Sequence, residues 1–300
     1  MSVNRDHSQR LPKPPWLKRP IPSGTTTHQI QNLLKRSQLH TVCQEARCPN
    51  LGECFSHGTA TFLILGDRCT RNCGFCAVAH GPLAPPDPEE PDRVAEAVKG
   101  MGLRHVVVTS VTRDDLPDGG ANHFAETIRA IQEMTPDAKV EVLIPDFQGS
   151  LSALKTVLDA QPHVLNHNIE TVPRLYPSVR PGAIYEKSLR LLMRVKDLNP
   201  SIPTKSGLML GLGETPKEIH QTLLDLLHVG CSILTLGQYL QPSMNHLPVE
   251  RFIPPAEFDR WRDTALQMGF LEVASGPFVR SSFHAKELFQ GLDGLQSSKV

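Results

Sequence analysis

The sequence predicts an α/β protein in which short buried strands alternate with amphipathic helices. Three observations predict this class: near-continuous apolar runs of strand length, helical apolar spacing between those runs, and capping residues where one kind of segment gives way to the other. Runs that are apolar at every position, rather than at alternate positions, are typical of a parallel sheet covered on both faces. The 300 residues, 39% of them hydrophobic, suffice for one large domain with extensions.

Seven segments have the composition of buried strands, and a helical segment follows each of the first six. Six βα units and a last strand result, and periodicity alone leaves open whether they form a partly closed barrel or a flat, doubly wound sheet. The predicted strands are Thr61–Gly66, His105–Val111, Val140–Pro145, Val164–Ile169, Ser206–Gly211, Ile233–Gln238 and Leu271–Ala274.

Two of the helices have clear local signals. The first places apolar residues at i, i+3, i+4 and i+7 from Val94 to Met101, the spacing of one helix face. The fifth begins with Thr215 and Pro216, followed by Glu218, which combines a capping box with proline at the first helical position. Of the 26 prolines, many gather in residues 11–22 and in Leu83–Pro91, and both stretches are predicted to be extended rather than helical.

Charge and hydropathy exclude several classes of partner. Acidic and basic side chains are equal in number, at 31 each, and no block of like charge indicates a nucleic-acid partner or a membrane surface. No apolar run approaches the roughly 20 residues that a transmembrane helix needs. No secretory or organelle-targeting pattern precedes Lys13, so the sequence predicts a soluble, cytoplasmic protein.

Six of the seven cysteines fall into two triplets, and these carry most of the functional information. The first triplet is Cys43, Cys48 and Cys54, and the second is Cys69, Cys73 and Cys76. An odd cysteine count in a chain without a secretory segment argues against a disulfide framework. Structural zinc is the main alternative, but it needs four ligands, and each triplet offers three. Two iron–sulfur clusters with three thiolates each fit the pattern, and the second triplet has the Cys-x3-Cys-x2-Cys spacing that leaves one iron open to a small molecule. Cys231 stands apart and is predicted to be a buried, inert thiol.

Polar motifs follow the predicted strands at their carboxyl ends. The second triplet follows the first strand, Thr109–Asp115 ends the second, Asn166–Glu170 ends the fourth, and Gly211–Glu214 ends the fifth. Each motif alone is typical of a tight turn or a helix cap. Because the carboxyl ends of parallel strands share one edge, we expect these motifs to surround one reactive site in either topology.

Taken together, these motifs resemble those of the lipoyl synthases, a family of radical S-adenosylmethionine (SAM) enzymes, across nearly the whole chain. The second triplet alone is typical of the superfamily. The family is indicated by the upstream spacing Cys-x4-Cys-x5-Cys and by segments in residues 13–18, 112–121, 166–170 and 280–285. One departure is Phe283, where the family usually has tyrosine, which puts any role of a phenol there in doubt. The resemblance implies a partial (β/α)6 TIM-like barrel, with extensions at residues 1–58 and 279–300 around a core at 59–278.

The resemblance implies that Cys69, Cys73 and Cys76 hold a [4Fe-4S] cluster whose open iron binds SAM. One electron from this cluster cleaves SAM to methionine and a 5′-deoxyadenosyl radical, which abstracts hydrogen from unactivated carbon. No side chain can do this, so the protein's part is binding, orientation and exclusion of competing reactions.

A second, auxiliary [4Fe-4S] cluster is implied on Cys43, Cys48 and Cys54, with Ser282 as its fourth ligand. In the family this cluster is the sulfur donor, and two sulfur atoms are inserted at C6 and C8 of an octanoyl chain on a carrier lysine. A serine oxygen matches iron in a sulfide environment less well than a thiolate, so this iron is expected to be the easiest to lose. Local sequence alone favours a turn or helix cap at Ser282.

SAM contacts are carried over from the superfamily to five residues: Thr109, Asn168, Glu170, Gly211 and Glu214. Three further basic residues are predicted to neutralise a carboxylate, to hold a carrier backbone or to lie on a solvated face, and they are left outside the catalytic group: Arg180, Arg190 and Lys205.

The partners implied are octanoylated lipoyl carrier domains, namely the glycine cleavage H protein and E2 subunits of 2-oxoacid dehydrogenases, and an electron donor such as ferredoxin or flavodoxin. Two alternatives stay open. Another radical SAM sulfur-inserting enzyme, such as a methylthiotransferase or a biotin synthase relative, would show a different auxiliary spacing or an added RNA-binding domain. A non-enzymatic iron–sulfur carrier or redox sensor would not explain the βα array or the open-iron triplet, and it would release no 5′-deoxyadenosine.

Overall fold

The strands of the fold follow chain order in a single sheet. The computed structural model describes residues 11–18, 25–45, 48, 50–56, 61–283 and 285–297. Within these ranges the sheet has eight strands in the order β1 to β8. Their bounds are β1 His40–Thr41, β2 Thr61–Ile64, β3 His105–Ser110, β4 Lys139–Leu143, β5 Val164–Asn166, β6 Thr204–Leu210, β7 Ile233–Gln238 and β8 Glu272–Gly276.

The strand order decides between the two topologies that periodicity left open. Strands β2 to β8 are parallel, each pairs with the next along the chain, and β1 is added antiparallel to β2. A doubly wound sheet would reverse its strand order at a switch point, whereas an unbroken order is that of a TIM-type barrel. No pairing within the described residues joins β8 to β1, so the sheet is a partial barrel, as predicted.

A helix follows each of the first six parallel strands and covers the outside of the barrel, and a further helix follows β8. The six are α4 Glu90–Gly100, α5 Ala121–Met134, α6 Leu151–Asp159, α8 Tyr185–Leu198, α9 Pro216–His228 and α10 Pro255–Met268. The capping box predicted for α9 is present: the Thr215 hydroxyl accepts the Glu218 N–H, and the Glu218 carboxylate accepts the Thr215 N–H. Helix α1 Thr25–Arg36 and three short helices precede or interrupt the array: α2 Val42–Glu45, α3 Leu51–Ser56 and α7 Tyr176–Val179.

The hydrophobic core joins the N-terminal helices to the barrel. Ile30 and Leu34 of α1 belong to the same buried cluster as Phe62 of β2 and Phe124 of α5. The last helix, α11 Ala285–Ser297, places Leu288 against the amino-terminal ends of β5 and β7. Both terminal segments therefore bury apolar surface against the barrel.

The predicted strands are all present, with ends shifted by a few residues. Ile233–Gln238 is confirmed at both ends, while Val164–Ile169 shortens to Val164–Asn166, and an isolated bridge from Glu170 to Leu208 follows it. The prediction that Leu83–Pro91 is wholly extended is wrong at its end, because α4 begins at Glu90 with Pro91 in its first turn, where a missing N–H costs nothing. Pro15–Leu17 likewise form a single 3-10 turn, and residues 19–22 of that segment lie outside the described residues.

In the part of the chain that the structure describes, every helix is too short or too polar to cross a membrane.

Candidate functional site

The second cysteine triplet lies on the loop that leaves β2 at the carboxyl edge of the barrel. The thiols of Cys69, Cys73 and Cys76 are half-buried and free of disulfides. The Cys69 sulfur accepts two backbone hydrogen bonds, from the N–H of Arg71 at 3.4 Å and from the N–H of Thr112 at 3.3 Å. Hydrogen bonds to the cysteine sulfurs are a typical feature of iron–sulfur cluster sites.

Neighbouring elements fix the path of this loop. Gly74 donates to the carbonyl of Val179 and accepts from the N–H of Leu247, both at 3.0 Å. A Cβ at Gly74 would lie 2.8 Å from both the Leu247 side chain and the Ser178 carbonyl, so only glycine fits there. His246 donates from Nε2 to the Cys76 carbonyl at 2.9 Å. The loop is therefore held on both sides of its central turn.

The three thiols are close enough to influence one another's ionisation. Burial raises the pKa of Cys76 to about 12, and the neighbouring Cys73, Cys69 and Glu170 add to the rise. Burial also raises the pKa of Cys73, which Arg180 partly offsets. In the absence of metal, burial makes Cys73 and Cys76 hard to ionise. A cation is needed to hold them as thiolates, and bound iron would supply that charge. The residues present therefore fit a cluster with three thiolate ligands.

Beside the thiols, the segment after β5 carries two of the predicted SAM contacts. The Asn168 amide donates to the Glu170 carboxylate at 3.0 Å, and its own carbonyl oxygen Oδ1 is buried without a hydrogen-bond partner among the described residues. Burial raises the pKa of Glu170, while Arg180 and Arg280 lower it. Glu170 also has a φ of +67°, a strained value for a residue with a side chain. An unpaired amide oxygen lies beside the carboxylate of a residue whose backbone is strained. Together these features indicate a site for a polar ligand.

The other predicted SAM contacts are partly used within the fold. The Thr109 hydroxyl donates to the Leu143 carbonyl at 2.8 Å, which leaves its oxygen lone pairs for a ligand. The Glu214 carboxylate accepts the N–H groups of Gly211 and Leu212, at 2.6 and 2.9 Å. Gly211 has a φ of +103°, so it is a position where glycine is required. Glu214 thus shapes the turn that Gly211 begins.

In the first triplet, Cys43 lies on α2, Cys54 lies on α3, and Cys48 lies between the two helices. Helix α2 packs against β1, the strand at the open edge of the barrel. Burial raises the pKa of Cys43 to about 12, and Cys48 and Cys54 add to the rise. The Asn50 side chain, between Cys48 and Cys54, donates to the Phe278 carbonyl at 2.6 Å. This bond ties the triplet to the segment that leads from β8 to Ser282.

Other sequence predictions meet a mixed outcome. Cys231 is buried, and burial raises its pKa to about 12, which confirms an inert thiol. Lys205 is not solvated: it is fully buried and donates to Glu141 at 2.9 Å. Arg180 is half-buried, with one NH group donating to the Asn168 carbonyl at 2.9 Å, whereas Arg190 is exposed. Within the described residues, no group of three His, Cys, Asp or Glu side chains is arranged around a single metal ion.

Sequence reasoning missed an ion-pair cluster next to the second triplet. Arg71 binds Asp114 with Nε and Nη2, at 2.7 and 2.9 Å, and binds Asp146 with Nη1 and Nη2, at 2.8 and 2.6 Å. Asp146 follows β4 at the same edge as the other motifs, so the strand-end rule applied to the third predicted strand would have found it. Arg71 gives no comparable signal, because an arginine in a loop is usually solvated.

A partial (β/α) barrel with a Cys-x3-Cys-x2-Cys loop after its first parallel strand is the arrangement of a radical SAM protein. The model of the radical SAM superfamily matches residues 63–226, and that of the N-terminal domain of lipoyl synthase matches residues 1–48. A lipoyl synthase of Desulfotalea psychrophila is 58% identical over 96% of this chain and 97% of its own, and one of Nitrosococcus oceani is 58% identical over 93% and 86%. The chain belongs to the lipoyl synthase family.

Solved structures support the fold alone. Streptococcus suis SuiB bound to its precursor peptide SuiA aligns with a TM-score of 0.57 at 12% identity, over 80% of this chain and 54% of that one. HydG, a maturase of the [FeFe]-hydrogenase, aligns with a TM-score of 0.54 at 14% identity, over 88% of this chain and 74% of that one. Likeness at this level of identity concerns the barrel and not its chemistry.

Proposed function

We propose that this lipoyl synthase inserts two sulfur atoms, at C6 and C8, into an octanoyl chain held on a carrier lysine. The enzyme class follows from family membership, and the observation that carries the division into two sites is the placement of the two cysteine triplets: one lies on the loop after β2, and the other lies on α2, α3 and the connection between them. One group opens onto the carboxyl edge of the barrel, and the other packs beside the segment that leads to Ser282.

The first site is assigned to Cys69, Cys73 and Cys76, which fit the [4Fe-4S] cluster that a radical SAM protein requires. With SAM bound, that cluster supplies the one-electron cleavage that yields a carbon radical able to abstract aliphatic hydrogen. The chain's own residues bind and orient the co-substrate: Asn168 offers its unpaired amide oxygen to a hydroxyl donor, and Glu170 offers a carboxylate beside it. Gly211 lets the backbone approach closely. Thr109 and Glu214 stay predictions as direct contacts, because each already makes hydrogen bonds within the fold.

The second site is assigned to Cys43, Cys48, Cys54 and Ser282, with an auxiliary [4Fe-4S] cluster as the sulfur donor. The Asn50 to Phe278 hydrogen bond supports it, because that bond anchors the C-terminal segment four residues before Ser282 beside two of the cysteines. Ser282 is half-buried in a turn, so its hydroxyl is neither sequestered in the core nor fully solvated.

The division into an N-terminal extension at 1–58, a barrel at 59–278 and a C-terminal extension at 279–300 belongs to the same proposal. The shared buried cluster of Ile30, Leu34 and Phe62 supports an extension that packs on the barrel rather than an independent domain. As substrates we propose octanoylated carrier domains, the glycine cleavage H protein and the E2 subunits of 2-oxoacid dehydrogenases. Ferredoxin or flavodoxin is the proposed electron donor, and the cytoplasm the proposed location.

The test is anaerobic reconstitution with iron and sulfide, followed by mass spectrometry of an octanoyl-lysyl peptide incubated with SAM and dithionite. We expect the peptide to gain two sulfurs and 5′-deoxyadenosine to be released. Release of 5′-deoxyadenosine without sulfur in the peptide would contradict the substrate or the donor site. Absence of both from a fully reconstituted protein would contradict the function itself.

Three variants separate the two sites. Cys73→Ala should abolish SAM cleavage, whereas Ser282→Ala should leave cleavage largely intact and abolish completed sulfur insertion. Cys231→Ala is the matched control, since it removes a buried thiol outside both triplets and should preserve both activities. Equal loss of cleavage and insertion in Ser282→Ala would refute the proposed division of labour.

A further inference from the structure

Arg71 lies in the loop that carries the second triplet, and its side chain binds two carboxylates on the loops that follow other strands. It makes a two-point ion pair with Asp114, after β3, and another with Asp146, after β4. The Arg71 side chain is 11% exposed and that of Asp146 is 2% exposed. Planar two-point pairing of a guanidinium fixes orientation as well as distance, and burial removes the competition of water.

The same residue contacts a cluster ligand through its backbone. The Arg71 N–H donates to the Cys69 sulfur, and the second N–H on that sulfur comes from Thr112, two residues before Asp114. Thr70 connects the loop after β2 to the loop after β3: its hydroxyl donates to the Thr112 carbonyl at 2.9 Å and accepts the Asp114 N–H at 3.1 Å. The ion pairs of Arg71 therefore hold together the two backbone segments that supply both N–H groups on Cys69.

We propose that Arg71 is a positioning residue: its ion pairs with Asp114 and Asp146 keep two N–H groups on the Cys69 sulfur and thereby raise the reduction potential of the SAM-binding cluster. This rests on the proposed assignment of Cys69 as a ligand. Reduction adds negative charge to a cluster, and hydrogen bonds to its sulfurs stabilise that charge. Partners of ligands that act in this way typically contribute about 10- to 100-fold to metal affinity or activity.

The test uses variants that keep every charge of the ion-pair cluster and change only its geometry. Arg71→Lys retains the cation but loses the planar fork, and Asp146→Glu retains the carboxylate on a longer side chain. Arg262→Lys is the matched control, because Arg262 also binds two aspartates, Asp259 and Asp263, on the exposed face of α10. All are made in a Cys43→Ala, Cys48→Ala, Cys54→Ala background, so that the proposed SAM-binding cluster is the one observed.

The decisive readout is the midpoint potential of the reconstituted cluster, followed by electron paramagnetic resonance, together with iron content and thermal midpoint. We expect Arg71→Lys and Asp146→Glu to retain iron, to show a lower potential, and to cleave SAM about 10- to 100-fold more slowly than the parent. Arg262→Lys should match the parent. An unchanged or raised potential, or an unchanged cleavage rate, in a variant that retains iron would overturn the proposal.

Folding failures also decide the matter. If one variant fails to fold, the other gives the answer, and if both lose iron and thermal stability together, the role is structural and the proposal is wrong. The parent reports separately on the proposed function: a parent that binds no cluster would contradict the assignment of Cys69, Cys73 and Cys76, whatever Arg71 does.

Discussion

Replacing Gly207 with alanine tests how tightly the barrel interior surrounds the predicted SAM ligand Asn168. Gly207 lies in β6, and its carbonyl accepts the Glu170 N–H at 2.9 Å. A Cβ added there would lie 2.5 Å from the Thr235 hydroxyl oxygen and 3.0 Å from Oδ1 of Asn168. This is the same Oδ1 that has no protein hydrogen-bond partner among the described residues. The added methyl group therefore acts directly on the atom expected to contact SAM.

The structure also gives the size of the effect. Ordinary contact begins at 3.4 Å, so the hydroxyl of Thr235 or the β6 backbone must move by about 0.9 Å to admit the methyl group. Overpacking of this kind typically costs about 1–3 kcal/mol. Displacement of a binding group by about 1 Å can cost up to roughly 100-fold in rate. We expect SAM affinity to fall by about tenfold, equivalent to about 1.4 kcal/mol.

The assay is SAM binding to the reconstituted protein, with iron content measured in parallel. Gly207→Ala should weaken SAM binding without loss of iron, and Gly207→Ala combined with Thr235→Ala should recover part of the affinity, because the closest contact is then gone. Gly100→Ala, in α4, is the control: a Cβ there meets nothing within 4 Å. Unchanged SAM affinity in Gly207→Ala would refute the packing argument and the role of Asn168 together.

Two buried polar groups give further predictions. Burial lowers the pKa of His167 to about 4 from 6.5. As pH falls, the unfolded chain therefore takes up this proton before the folded protein does, and the folded state loses stability. His167→Asn should accordingly lose less thermal stability than the parent between about pH 7 and about pH 5.5. An equal loss in both proteins would contradict a neutral His167. Lys205→Met leaves the Glu141 carboxylate buried without its cation, at a cost of about 3–5 kcal/mol, whereas Lys205→Met with Glu141→Leu should cost much less in thermal midpoint. Additive losses would show that the pair is not coupled.

The fold could be predicted closely because its strands are apolar on both faces and its helices are punctuated by caps. The run Ile233–Gln238 is buried at every position, and its sequence shows this without reference to any partner. The two-residue strand β1 could not be predicted, because two residues carry no periodicity and its pairing depends on β2, some 20 positions later. Periodicity could not distinguish a partial barrel from a flat sheet either, since that choice depends on strand order rather than on any one strand.

The candidate site was predictable where its residues follow strands and unpredictable where charges are paired across the barrel. The local sequence around Lys205 does not show whether its side chain is solvated or paired. Its partner Glu141 is 64 positions away, on a strand two places along the sheet. Arg71 is the same case, since its two aspartates come from loops 43 and 75 positions further on. Long-range ion pairs depend on the fold, so a linear sequence does not reveal them.

The open side of the barrel gives a physical reason why a serine near the C-terminus would serve a cluster whose cysteines lie near the N-terminus. Because β8 and β1 are the two edge strands of the described sheet, the segments that flank them are free to meet, and the Asn50 to Phe278 hydrogen bond joins them. Further along the same segment, Arg280 lies close enough to Glu170 to lower its pKa. One short stretch, from Phe278 to Ser282, thus runs from the segment of the first triplet to the neighbourhood of Glu170, a predicted SAM contact.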